Sequence, residues 1–157
     1  MSAPKVFCFG YGYCAATLAQ ELKKDNGHIA GTARTKEKSD ILKTAGITPY
    51  IFDGSTALDD QPLQNTTHLL LSVPPDESGD PVFYHHEKII RSLPNLKWIG
   101  YLSATSVYGD HAGGWIDEQT PPAPTTERGQ NRLKAERQWL SLYHDHGLPV
   151  HIFRLSG

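Results

Sequence analysis

Two rhythms alternate along the chain. Short apolar runs occur at Lys5 to Phe9, His28 to Thr32, Ile47 to Phe52, His68 to Val73, Lys97 to Leu102 and Val150 to Phe153, each of strand length. Between most of them, apolar residues return at helical spacing: Ala15, Leu18, Ala19 and Leu22; Ile41, Leu42 and Ala45; Val82, Ile89, Ile90 and Leu93; Leu133, Trp139, Leu140 and Tyr143. The boundaries carry matching chemistry. Asp25-Asn26-Gly27 ends the first helix at about Lys24, Thr35 caps the second and Gly46 closes it, Asp80-Pro81 opens the third and Pro94 ends it, and Thr126 and Gly147 bracket the last. The polar stretch after Asp53-Gly54 predicts one helical turn around Leu58. Asp76 to Gly79 is a loop, and Asp110 to Thr125, with Gly113, Gly114, Pro121, Pro122 and Pro124, predicts a long functional loop. Six strands alternating with helices imply an α/β fold, a doubly wound parallel sheet of Rossmann type with helices on both faces.

In such a sheet ligands bind at the carboxyl ends of the strands, and the unusual residues of this chain collect there. The first strand runs into Gly10-Tyr11-Gly12-Tyr13-Cys14-Ala15, a Gly-x-Gly-x-x-Ala pattern opening a helix. Gly10 permits the sharp turn, Gly12 lets backbone N–H groups approach a phosphate, and Ala15 or Ala16 lets helix and strand pack closely. The turn predicts a dinucleotide pyrophosphate site at residues 10 to 14; in an ordinary strand-to-helix turn the same spacing would serve packing only. At the end of the second strand no carboxylate waits for ribose hydroxyls. Thr32-Ala33-Arg34-Thr35 stands there instead, and a guanidinium beside hydroxyls suits a 2′-phosphate, so NADP is expected in preference to NAD. Asp53 either lies beside the adenine or caps the turn at Gly54. Ser72-Val73-Pro74-Pro75 would floor the site near the phosphates and the nicotinamide ribose.

Composition narrows the partners. Of 157 residues, 17 are acidic and 15 basic, a net charge of −2 that offers no general attraction for nucleic acid or an anionic membrane surface. No apolar run reaches the roughly 20 residues of a membrane span, and the N-terminus lacks the apolar core of a signal peptide, which implies a cytoplasmic protein. Cys8 and Cys14 match neither a zinc nor a redox spacing and read as reduced thiols, although a helix N-terminus is able to activate Cys14. His85-His86 and His144-x-His146 lack a carboxylate or cysteine partner at ligating spacing, so no metal is expected.

Several segments together resemble the short-chain dehydrogenase/reductase superfamily, in particular its extended and atypical branch with the nucleotide-sugar epimerases and dehydratases. The carriers are FGYGYCAATLA, LLLSVPP, YLSATSVYGDHAGGWIDEQTPPAP, RGQNRLKAE and HIFRLSG, spread over essentially the whole chain. The resemblance implies hydride exchange between a nicotinamide and a carbonyl or alcohol carbon of a small-molecule substrate near residues 103 to 108. It also marks departures. The family's hydroxyl residue five positions before the glycine of the VYG motif corresponds to Ala104, flanked by Ser103 and Thr105. Its Tyr-x-x-x-Lys pair corresponds to Arg128 and Arg132. A guanidinium stays protonated and accepts no hydrogen bond, so it does not take over a phenol's proton shuttle.

The remaining proton-donor candidates are Thr105, Ser106 and Tyr108, of which Tyr108 also reads as a structural member of its motif. Arg128 and Arg132 share one helical face, where they either clamp an anionic substrate or phosphate or form a solvated face. Two functions follow from different classes: an NAD(P)-dependent oxidoreductase or epimerase-like enzyme, and a non-catalytic NADP(H)-binding sensor or regulator. A methyltransferase using S-adenosylmethionine is disfavoured by the missing acid after the second strand. The resemblance further implies a substrate lobe beyond residue 157, with this chain the cofactor domain, and exposed apolar positions on the last helix, Trp139 and Tyr143, that would face that lobe or pair subunits in a homodimer.

Overall fold

The computed structural model describes residues 3–156; Gly157, the last residue of the HIFRLSG run, lies outside them. The elements are β1 Lys5–Phe9, α1 Tyr13–Lys24, β2 His28–Ala33, α2 Lys36–Thr44, β3 Thr48–Ile51, β4 His68–Leu71, α3 Pro81–Ser92, β5 Trp98–Ala104, α4 Glu127–His146 and β6 Val150–Leu155. The strands form one parallel sheet in the order β3-β2-β1-β4-β5-β6. This is the Rossmann-type α/β architecture. Strand order reverses between β1 and β4, which places the crevice of the fold at the ends of those two strands.

Side chains alternate across the pleat, and each face has its own core. Phe7 and Phe9 of β1 point one way with Leu69, Leu71, Ile99 and Tyr101, packing against Val82 and Ile90 of α3 and Ala135, Trp139 and Leu142 of α4. Val6 and Cys8 point the other way with Ile29 and Leu70, under Ala15 and Ala19 of α1 and Leu42 of α2. Burial pushes the Cys8 thiol up to about 12, so it behaves as an apolar filler.

The structure moves several expected boundaries. β5 and β6 each continue two residues further than the apolar runs suggested, through Ala104 and Leu155, because they pair in register from Ile99↔Val150 to Ala104↔Leu155. β3 is shorter, and Pro49 is tolerated in it because β3 is an edge strand. The expected helical turn around Leu58 is instead a 3₁₀ turn at Gln61–Leu63. Leu58 is held in an irregular segment by its N–H, which donates to His86 Nε2 at 2.9 Å. Trp139 does not lie on an exposed face: it is fully buried, and its indole N–H donates to Asp80 at 2.8 Å. Tyr143 is exposed, as expected.

Candidate functional site

The turn after β1 is fixed by its neighbours on both sides. The Gly10 N–H donates to Thr32 Oγ1 at 2.8 Å, the Tyr11 N–H to the Thr32 carbonyl at 3.0 Å, and the Ser72 hydroxyl to the Gly10 carbonyl. Gly10 has φ +83°, and a Cβ there would lie 2.8 Å from Ser72 Oγ. Ala15 is buried against the sheet, as close helix packing requires. Gly12 is different in kind. It is the N-cap of α1 with φ −106° and ψ −157°, a backbone open to any residue, and a Cβ there would meet nothing within 4 Å. No contact among the described residues requires glycine at this position.

In front of this turn lies a cleft of about 910 Å³. Gly10, Tyr11 and Gly12 form its base; Ser72, Val73 and Pro74 continue it from β4; Arg34 and Thr35 close it from β2, and Asp53 from the end of β3. These predicted binding residues therefore converge. The side chains of Tyr13 and Cys14 do not join them: both residues start α1 and are exposed outside the cleft wall, so only their backbone N–H groups remain at the turn. Lys38, which the sequence reading missed, adds a second cation beside Arg34. Its signal was the cap: Thr35 Oγ1 accepts from the Lys38 N–H at 3.3 Å, so Lys38 belongs to the first turn of α2. Asp53 lines the cleft, and its carboxylate accepts from the hydroxyl and N–H of Ser55 at 2.6 and 2.9 Å. Those bonds hold its carboxyl below the usual range.

The end of β5 is organised differently. Thr105 and Ser106 lie in a 3₁₀ turn, Thr105–Val107, and Tyr108 follows it, buried, with the Arg154 guanidinium 4.7 Å from its ring centre. None of the three lines the cleft described above. Arg128 and Arg132 line a second cleft of about 680 Å³ with Thr126, Glu127, Asn131 and Pro75; Pro74 belongs to both clefts, so they adjoin. Arg132 is partly anchored, its Nη1 donating to the Leu102 carbonyl at 2.7 Å and to the Tyr101 hydroxyl at 3.4 Å. Burial drives the Tyr101 hydroxyl well above the ordinary phenol range.

One helical turn beyond Arg132 on α4 begins a buried polar cluster that sequence reasoning also missed. Glu136 of α4 is 1% exposed, forms a bidentate pair with Arg154 of β6 through Nε and Nη2, and accepts from the Ser103 hydroxyl. The Glu136 bond is the main reason the Arg154 guanidinium is held charged even more firmly than usual. At the N-cap of α3, Asp80 is buried, which pushes its carboxyl up to about 6 although Trp139 and the Val82 N–H donate to it. His86 Nε2 accepts from Leu58, so its other nitrogen carries the proton and donates to the Val82 carbonyl at 3.2 Å. Among the described residues, no group of three or more His, Cys, Asp and Glu side chains is placed to hold a metal, and no helix is long and apolar enough to cross a membrane.

Comparison with known proteins places this geometry among solved folds. No family model and no curated protein matches the chain. A conserved protein of unknown function from Silicibacter pomeroyi is 38% identical with a TM-score of 0.85, covering 96% of this chain and 52% of its own. The architecture is shared. UDP-glucuronic acid 4-epimerase from Bacillus cereus, solved with NAD, superposes with a TM-score of 0.74 at 18% identity over 97% of this chain and 56% of its own. A Methylobacillus flagellatus protein, provisionally described as an NAD-dependent epimerase/dehydratase, gives 0.73 at 22% identity over 99% and 55%. The chain spans about half the length of these structures, and at such identities the last two share its fold.

Proposed function

We propose that this domain binds NADP(H), in preference to NAD(H), as the cofactor-binding part of an epimerase- or dehydratase-like oxidoreductase. The observation that carries the reading is Gly12, a glycine without an internal reason at the N-terminus of α1, its open side in a cleft at the switch point of the sheet. The residues present fit a dinucleotide. Gly10 to Gly12 and the first N–H groups of α1 would take the pyrophosphate, and Arg34 with Lys38 would take a 2′-phosphate. That Bacillus cereus epimerase was solved with NAD supports the cofactor class. The bound nicotinamide would supply hydride exchange with a carbonyl or alcohol carbon. Thr105 and Ser106 would offer hydroxyls at the end of β5, whereas Tyr108, beneath Arg154, would mainly hold the turn in place.

Calorimetric titration of NADPH, NADH and NADP⁺ into the chain tests the reading. NADPH should bind more tightly than NADH, and Arg34→Ala should weaken NADPH about tenfold while leaving NADH within about twofold, since a charged hydrogen bond to phosphate contributes roughly 1.5–3 kcal/mol. Equal affinities would remove the phosphate preference, and no binding of either would remove the cofactor.

A second reading, a cofactor-binding sensor without chemistry, is favoured by Arg128 and Arg132 at the positions of the family's Tyr and Lys. Turnover of NADPH across a carbonyl panel by the natural protein, lost in Thr105→Ala, would eliminate it.

A further inference from the structure

We infer that the second cleft, lined by Arg128, Asn131 and Arg132, is a receptor for an oxyanion, a carboxylate or phosphate borne by the substrate. Among the described residues two buried side-chain polar atoms lack any hydrogen-bond partner, Ser106 Oγ and Arg132 Nε. Both lie where α4 meets the turn after β5: a Cβ on Gly129, one turn before Arg132, would lie within 2.4 Å of the Ser106 carbonyl. A buried guanidinium N–H without an acceptor is costly, and polar atoms in such places normally have a partner.

The geometry of the guanidinium says what is absent. Arg132 is oriented by Nη1, which holds the Leu102 carbonyl and the Tyr101 hydroxyl. Its opposite edge, Nε with Nη2, is the planar fork that receives an oxyanion side-on. This chain uses that edge elsewhere, for Arg154 grips both oxygens of Glu136 with Nε and Nη2. In Arg132 the buried Nε of this fork has no acceptor among the described residues, although the residue forms a wall of the cleft. Arg128, one helical turn away and exposed, adds a second positive charge on the same wall. Glu127 at the start of the helix offsets one of the two and leaves the cleft net positive. Because Pro74 also floors the first cleft, an anion held here would be part of a molecule lying beside the cofactor; that placement rests on the reading proposed above, whereas the anion site itself does not.

Two-dimensional ¹H–¹⁵N NMR of the chain, titrated separately with inorganic phosphate and with malonate at low ionic strength, tests the inference directly, because the Arg132 Nε–H gives its own signal. That signal should shift saturably, with phosphate and malonate separating the two kinds of oxyanion by affinity. Arg128→Ala should weaken the response about tenfold, as expected for one charged hydrogen bond. Arg132→Lys keeps the charge but loses both the fork and its Nε–H reporter, so binding to this variant is read from the backbone N–H signals of Arg128 and Asn131, whose response should weaken comparably while the remaining spectrum stays dispersed. Gly12→Ala should leave it within about twofold. An Arg132 Nε–H that does not move with either anion would overturn the inference. Shifts confined to Gly10, Gly12 and Arg34 and lost in Gly12→Ala would overturn it too, while supporting the cofactor cleft. A saturable Arg132 response in a chain that fails to bind NADPH would sustain this site and refute the cofactor reading alone.

Discussion

Gly12→Ala should separate binding from folding. The position has φ −106°, which alanine adopts freely, and its added methyl would meet no atom of the protein within 4 Å. Two small effects then oppose each other. Restricting the unfolded chain stabilises by roughly 0.4–1 kcal/mol, and replacing glycine by alanine at a helix N-cap costs a similar amount, so net stability should change by less than about 1 kcal/mol. Binding should respond strongly. If a pyrophosphate sits on the N–H groups at the start of α1, displacing it by a methyl radius loses charged hydrogen bonds of roughly 1.5–3 kcal/mol each, a loss of about tenfold or more in NADPH affinity.

Gly10→Ala supplies the contrast. Its φ of +83° costs an alanine roughly 1–2 kcal/mol, and moving Ser72 Oγ away from a Cβ 2.8 Å distant also removes the bond to the Gly10 carbonyl, about 1 kcal/mol more. Urea unfolding followed by tryptophan fluorescence, with calorimetry on the same samples, reads both quantities. If Gly12→Ala lost more than about 1.5 kcal/mol of stability, or bound NADPH like the parent, an external reason for this glycine would be wrong.

Three further outcomes follow from the buried groups. Arg154→Ala leaves Glu136 buried without its partner and should cost about 3–5 kcal/mol, whereas Glu136→Gln combined with Arg154→Met should recover much of that loss; urea midpoints of the three chains check it. Asp80, raised from 3.8 to about 6, contributes stability that is present below pH 3.8 and lost as pH rises through 6, on the order of 2–3 kcal/mol; Asp80→Asn should flatten that part of the stability profile. His86 has the opposite sign: burial first, then neighbouring His85, holds it below its ordinary 6.5 against the Val82 carbonyl, so its contribution is lost as pH falls below that value. His86→Leu should remove this acid sensitivity and cost about 1–3 kcal/mol through the orphaned Leu58 N–H, measured by thermal unfolding against pH.

The sheet was legible because each strand announces itself twice, by an apolar run and by the glycine, proline or capping residue that ends it. The binding turn was legible for the same local reason: Gly10, Gly12 and Ala15 are close in sequence, and so are the contacts they make. What escaped depends on distant partners. Trp139 looks like exposed apolar surface in the sequence because its indole N–H is satisfied by Asp80, 59 positions away, at the N-cap of a different helix. Glu136 belongs to a run of polar residues on α4, and only pairing of β5 with β6 brings Ser103 and Arg154 to it. The sequence also does not show that the helix starting at Tyr13 turns the side chains of Tyr13 and Cys14 outward, leaving their backbone N–H groups at the turn.

That long-range cluster changes how the two arginines of α4 are to be understood. Arg128, Arg132 and Glu136 recur every four residues, so they run along one side of the helix. Glu136 fixes the later turn to β5 and β6, and Gly129 seats the first turn directly on the Ser106 carbonyl. Arg132 lies between those two attachments, with Nη1 tied to β5, and so has little freedom to swing into solvent. A solvated pair of surface arginines needs no such bracing, whereas a fork held at one edge and left without an acceptor at the other is preorganised for a ligand. Arg154→Met should therefore weaken the anion response of Arg132 although Arg154 does not line that cleft. If, at a temperature where the variant remains folded, the Arg132 Nε–H titrated with unchanged affinity, the buried cluster would be a stability device only.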